Sequence, residues 1–125
     1  MTDSKLLDSS AWLSYLYAEN IATKSIIESD DSLFISVLSL FEIKLKMLKD
    51  KRPLSVILSS LDFVKKRSLV ISINEEIAEH AVDISTQHRL AAVDSLIYAS
   101  ALKNNAVLIT LDNDFRGLKN VEISE

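Results

Sequence analysis

Short apolar runs separated by helix-patterned segments constrain this chain more than anything else in it. Lys5–Asp8, Ser32–Ser36 (SLFIS), Ser68–Ile73 (SLVISI) and Ala106–Thr110 (AVLIT) read as strands, and Val121–Ile123 reads as a last strand at an edge. The runs are nearly continuously apolar, which suits strands covered on both faces. Between them lie segments of helical period: Ser9–Tyr17, Ile21–Glu28, Ser39–Lys49, Pro53 to about Lys66, Asn74–Gln87 and Ala91–Lys103. Ser9 or Ser10 suits the start of the first helix, Pro53 the first turn of the fourth, and Asn74 the start of the fifth. One Gly and one Pro in 125 residues leave little punctuation, so helices should dominate. Alternation of this kind predicts an α/β fold: a three-layer α/β/α sandwich around a short, mostly parallel sheet. Residues 1–125 read as one domain, with no repeat or linker. The helix pair between the second and third strands is longer than one crossover needs and is expected as a hairpin.

Composition narrows the function. Hydrophobic residues make up 48% and charged residues 26%, so a packed core is expected. No apolar run approaches the roughly 20 residues of a membrane span. The first ten residues lack the pattern of a secretory signal, and there is no cysteine. Disulfides and thiolate metal sites are excluded, and a cytoplasmic location is expected. A formal charge of −4 weighs against a nucleic-acid binder, which usually carries a basic footprint. Cations bridging carboxylates to phosphate, together with local basic clusters, keep RNA open as a substrate.

In open parallel sheets, ligands bind beyond the carboxyl ends of the strands. Acidic residues stand at two of those ends: Asp8 after the first strand, and Asp112 after AVLIT with Asp114 two residues on. Asp94 lies inside an apolar helix, with Leu90, Ala91, Ile97 and Tyr98 at helical spacing. An ionised carboxylate on a buried stripe costs several kcal/mol unless something compensates it. Glu42, early in the helix after the second strand, is a fourth and weaker candidate. Singly, each has an ordinary reading: Asp8 as a helix cap, Asp112 as a turn residue, Glu42 as a surface residue, and Asp94 as a cap or a partner of Arg89. Together they suit Mg²⁺ or Mn²⁺, hard cations that prefer oxygen ligands. Metal held in this way orients water for in-line attack on a phosphodiester. A zinc cluster of Cys and His is missing, and a single Gly rules out a glycine-rich phosphate loop.

Three segments carry a family resemblance: LLDSSAWLSYL, SVLSLFEIKLKML and LAAVDSLIYASALKNNAVLITLDNDFRGL. They resemble the PIN-domain family, and within it the VapC-type toxins. The family pattern is an Asp and Ser/Thr after the first strand, a Ser-containing segment ending in Glu, an Asp in an Ala-rich helix, and an acidic residue after a Thr at a strand end. Asp8, Glu42, Asp94 and Asp112 occupy those places. The resemblance implies an α/β/α sandwich and a Mg²⁺- or Mn²⁺-dependent endoribonuclease acting on tRNA or ribosomal RNA. It also implies a homodimer and inhibition by a small antitoxin whose tail enters the acidic groove. Where the family often has Gly before the fourth strand, this chain has Asn104-Asn105-Ala106, and Asn tolerates the left-handed conformation. Asp112 is favoured as the fourth ligand, with Asp114 supporting it or taking its place.

Supporting roles are assigned to Ser9 (a hydrogen bond to a ligand carboxylate, or a cap), Thr110 (orienting Asp112) and Arg116 (meeting phosphate, or simply solvated). Lys44, Lys46, Lys49, Lys51 and Arg52 form one basic stretch and Lys65-Lys66-Arg67 another, each an RNA contact or a solvated face. Trp12, Tyr15 and Leu16 share a helical side suited to the core, or to a dimer or antitoxin contact. His80 and His88 read as surface residues. A receiver-type signalling domain fits poorly: Asp8 is followed by Ser9-Ser10 rather than an acid, Asp94 is in a helix, and no Lys follows AVLIT. A PIN nuclease of RNA maturation, or a non-catalytic PIN-like module binding RNA or protein, stands as the alternative to a toxin.

Overall fold

The structure is a computed structural model and describes residues 4–124. Its elements run β1 (Ser4–Leu7), α1 (Ser9–Leu16), α2 (Ile21–Ile27), β2 (Ser32–Ser36), α3 (Val37–Lys49) and α4 (Leu54–Arg67). They continue with β3 (Leu69–Ile71), α5 (Glu75–His88), α6 (Ala92–Lys103), β4 (Val107–Thr110), a 3-10 turn (Asn113–Phe115) and β5 (Val121–Ile123). The five strands form one sheet in the order β3-β2-β1-β4-β5. Every pairing is parallel, and Leu6 sits opposite both Phe34 of β2 and Leu108 of β4. From β1 the chain builds outward through β2 to β3, then crosses back to β4 on the other side. The switch point, where a crevice opens at the carboxyl edge, therefore lies between β1 and β4.

Two apolar clusters cover the two faces, as the strand pattern predicts. Successive residues of a strand point to opposite faces. Leu6 and Leu108 accordingly join Ile77, Ile84, Ile97 and Tyr98 under α5 and α6. Leu7 and Ile109 join Trp12, Ile35, Ile43, Met47, Ile57 and Val64 under α1–α4. Trp12 is fully buried, which assigns it to the core. Tyr15 and Leu16 pack at the margin of the same cluster, and the Tyr15 ring stacks on Phe63 at 5.7 Å. The expected helix pair is α3–α4, anchored by Ile43, Met47, Ile57 and Val64, with Phe41, Leu48, Leu54 and Leu58 exposed on its outer side.

Local chemistry explains several boundaries. The α3 helix starts at Val37, before the expected Ser39, because Ser36 caps it and accepts a hydrogen bond from the Leu38 amide at 3.2 Å. Asn74 caps α5 as predicted, and Pro53 precedes α4. The third strand is shorter than SLVISI suggests, spanning only Leu69–Ile71. Ser68 is taken by the end of α4, its hydroxyl donating to the Val64 carbonyl. Arg67 is also structural: its guanidinium donates to the carbonyls of Ile27, Ser29 and Asp31 and ties α4 to the entry of β2. Asn105 adopts φ 52°, so the turn before β4 uses the left-handed conformation without a glycine. Among the described residues, no helix is long and apolar enough to cross a membrane.

Candidate metal centre

Topology alone places the acidic residues at one edge. Asp8 directly follows β1, and Asp112 and Asp114 follow β4. Glu42 lies in the second turn of α3, which begins where β2 ends. The α6 helix runs back against β4, so its first turn, carrying Asp94, sits at the same carboxyl edge.

One carboxylate oxygen from each of Asp94, Asp112 and Asp114 lies within 4.8 Å of the others. Oxygens around a cation at roughly 2.0–2.6 Å are separated by distances of this order. Asp114 is exposed, whereas Asp94 and Asp112 are half-buried. The Asp112 side chain accepts from the Asp114 amide at 2.9 Å, which starts the 3-10 turn and brings both residues to the cluster. Asp114 thus lies beside Asp112 and Asp94, close enough to share a cation with them.

Asp8 is held differently. It is buried, and it rather than Ser9 or Ser10 caps α1, accepting from the Ala11 amide at 3.0 Å. Its Oδ1 also accepts from the Ser10 hydroxyl at 2.6 Å, and its Oδ2 accepts from the Thr110 hydroxyl. Ser10 accepts in turn from the Leu111 amide at 3.0 Å, and Thr110 accepts from the Asp112 amide at 3.0 Å. These bonds lock the β1–α1 junction to the end of β4, and through Thr110 they position both Asp8 and Asp112. Sequence reasoning missed Ser10 in this role. Only the pairing of β1 with β4 brings residue 10 to residue 111, although the Ser two places after Asp8 was a visible cue. Ser9 donates to Glu42 at 3.2 Å.

The electrostatics of the cluster are unfavourable without a cation. Burial raises the pKa of Asp8 and of Glu42, and neighbouring carboxylates add to both shifts. Asp94 is pushed from 3.8 up to about 6, first by burial and then by repulsion from Asp112, Asp8, Glu42 and Asp114. It keeps this elevation although a helix N-terminus ordinarily favours negative charge. Asp94 is not on a fully buried stripe as its helical neighbours implied: it is the third residue of α6, where the helix opens to the crevice, and Ala91 before the helix is exposed. It makes no ion pair with Arg89, which ends α5 in the left-handed conformation and is exposed. Arg116 folds back onto Asn113, donating to its side-chain oxygen from Nε and NH2 at 3.1 and 2.8 Å. His80 and His88 are exposed on α5. An all-oxygen donor set with a destabilised carboxylate at its centre fits a hard divalent ion.

A parallel α/β domain with clustered acids at its switch point is the architecture of a nucleotide- or phosphodiester-handling site. The PIN domain family model matches residues 5–121, and the chain belongs to the PIN-domain family. Its fold is similar to a toxin–antitoxin complex from Klebsiella pneumoniae, at 22% identity and TM-score 0.79 over 94% of this chain and 95% of that one. VapBC2 from Rickettsia felis, bound to a DNA fragment from their promoter, is similar at 19% identity and TM-score 0.81 over 98% and 99% of the two chains. Mycobacterium tuberculosis VapC20, a sarcin-ricin loop cleaving toxin, is similar at 16% identity and TM-score 0.75 over 96% and 98%. At these identities the likeness is one of fold. No curated protein matches the sequence.

Proposed function

We propose that this protein is a Mg²⁺- or Mn²⁺-dependent endoribonuclease of VapC type, the toxin of a toxin–antitoxin pair, working in the cytoplasm. The observation that carries the reading is the convergence of Asp94, Asp112 and Asp114 beside Asp8 and Glu42, with Asp94 raised to about 6. Asp94, Asp112 and Asp114 would hold the ion, with Asp8 and Glu42 adding negative charge beside it. When bound, a divalent ion would supply charge neutralisation at the phosphodiester and a water of lowered pKa. The chain's own residues orient the site. Thr110 and Ser10 fix the Asp8 carboxylate, the Asp114 amide fixes Asp112, and Ser9 fixes Glu42. No Ser, Cys or His nucleophile is required. The structures of similar fold include a toxin–antitoxin complex and a sarcin-ricin loop cleaving toxin. They support an RNA substrate and an antitoxin partner; ribosomal RNA or tRNA as the target, and a homodimer as the working unit, are what the family resemblance implies.

The test is cleavage of a mixed RNA pool by purified protein, with Mg²⁺ or Mn²⁺, with EDTA, and beside Asp94→Asn. Metal-dependent cutting that disappears in the variant is expected. A folded, antitoxin-free protein that leaves every RNA intact would favour the non-catalytic interaction reading instead.

A further inference from the structure

The lysines of α3 do not share one face. Glu42, Lys46 and Lys49 recur at spacings of four and three residues and line a groove of about 330 Å³, opposite Ser9, Ser10 and Leu13 of α1. The inner end of this groove is the acidic site, because Ser9 donates to Glu42 and Ser10 donates to Asp8. Lys44 points into a different groove, an apolar one with Phe41, Leu48, Leu61 and Lys65. Leu45 forms the wall between the two.

Several other cations are committed elsewhere. Arg67 binds backbone carbonyls, Lys66 pairs with Asp62 at 2.9 Å, and Lys103 pairs with Glu76. The Arg52 guanidinium stacks 4.1 Å above the Tyr17 ring. Lys46 lies 3.2 Å from Asp50 in an exposed i,i+4 pair, a weak contact that a phosphate can replace, and Asp50 also accepts from the Tyr17 hydroxyl at 2.7 Å. Lys49 makes no ion pair among the described residues and is exposed at the outer end of the groove. Along α3, Lys46 and Lys49 lie about 6 and about 10 Å beyond Glu42, at 1.5 Å per residue.

We propose that this groove carries the RNA strand away from the cleavage site, with Lys46 and Lys49 holding the phosphates next to the scissile one. The inference rests on the ribonuclease reading and adds the route of the substrate. A protein of net charge −4 repels RNA at long range, so it needs local cations beside its acidic site. Glu42, and the Ser9 and Ser10 hydroxyls that bind Glu42 and Asp8, line one end of this groove and Lys46 and Lys49 the other, so it changes from acidic to basic along α3. Leu13 and Leu45 give it apolar walls against which ribose and base can lie.

Lys49→Gln, and the double variant Lys46→Gln with Lys49→Gln, test the route. The control is Lys103→Gln, at the end of α6 that leads into the opposite edge of the sheet. Cleavage of single-stranded RNA with Mg²⁺ or Mn²⁺ separates KM from kcat. Fluorescence anisotropy of labelled single-stranded RNA on the Asp94→Asn background, over a salt series, counts phosphate contacts. The double variant should raise KM about 3–10-fold with kcat little changed, and should lower the salt slope by about 1.4, near 0.7 per lysine on a single strand. A KM and salt slope equal to those of Lys103→Gln, in a protein that still cuts RNA, would overturn the route alone. Weakened binding of an acidic peptide with unchanged RNA binding would assign the groove to a protein partner and overturn it too. A wild-type protein that neither binds nor cuts RNA would remove the ribonuclease reading and the route with it.

Discussion

Two carboxylates of one cluster are stabilised in opposite ways. At the β1–α1 junction, Asp8 is buried and both its oxygens accept protein hydrogen bonds, from Ser10, Ala11 and Thr110. At the start of α6, Asp94 is half-open to the crevice, accepts no hydrogen bond among the described residues, and faces four other acids. The first residue is built into the fold, since it caps a helix and locks β1 to β4. The second is tolerated by the fold, and under the proposed function a cation would compensate it. Strain at a functional site shows where structure and function make different demands on neighbouring atoms.

The largest separation of the two should come from Asp94→Asn. If Asp94 holds the cation, cleavage falls at least about 10³-fold, since a metal site supplies several kcal/mol to the transition state. In EDTA at neutral pH the same variant should be more stable than wild type. A rise from 3.8 to about 6 would represent about 3 kcal/mol in a sealed site, and partial exposure of Asp94 reduces the expected gain to about 1 kcal/mol. Initial rates and urea unfolding measure the two effects, and a variant that is both active and less stable would break the comparison.

Thr110→Val probes the locked side. It removes the hydroxyl that donates to Asp8 and accepts from the Asp112 amide, so activity should drop about 10–100-fold, as for other groups that orient metal ligands. Rates near wild type would show that Asp8 needs no such support. Asp8→Ala should destabilise the metal-free protein by about 1–3 kcal/mol, the opposite sign to Asp94→Asn, because it removes a cap and leaves the Ser10 and Thr110 hydroxyls without their acceptor. Chemical denaturation in EDTA decides the sign.

The smallest effect is a pH slope. The folded-state pKa of Asp94 lies above its unfolded value, so the folded protein binds this proton more tightly. Its contribution to stability is full below about pH 4 and is lost as pH rises to about 6. The stability gap between Asp94→Asn and wild type in EDTA should therefore open across that window and level off at neutral pH. Added Mn²⁺ should close it above about pH 6, because metal binding competes with the proton. A gap independent of pH would mean that Asp94 is not the titrating group.

Much of this molecule was legible in its sequence, for reasons that differ by element. AVLIT and SLFIS could be read because strands covered on both faces must be apolar throughout. Asn74 and the Asn104-Asn105 turn could be read because their side-chain and backbone preferences act locally. The start of α1 was read two ways, with Ser9 or Ser10 as the cap and with Asp8 as the cap. Ser9 and Ser10 are good caps in isolation, yet Asp8 took that place while Ser10 turned to Asp8 and Leu111. The exposure of Asp94 was misread because helical periodicity describes a helix interior, and Asp94 lies in a first turn that opens onto a crevice. The basic stretch of α3 was visible as composition only. Helix phase and the neighbours of each lysine divided it between two grooves and a Tyr17 stack.

The sequence by itself determined the alternation of strands and helices, the parallel sheet, and the set of acids at the strand ends. Those properties follow from the period of apolar residues and from the rule that parallel strands need covered faces. Only the tertiary structure decided that Asp114 joins Asp94 and Asp112, that Thr110 grips Asp8 across about a hundred residues of chain, and that Lys46 and Lys49 line a groove with Glu42. Electrostatic and hydrogen-bond energies depend on distances of a few ångström. For residues far apart in the chain those distances arise only when β1 pairs with β4 and α6 folds back along the sheet.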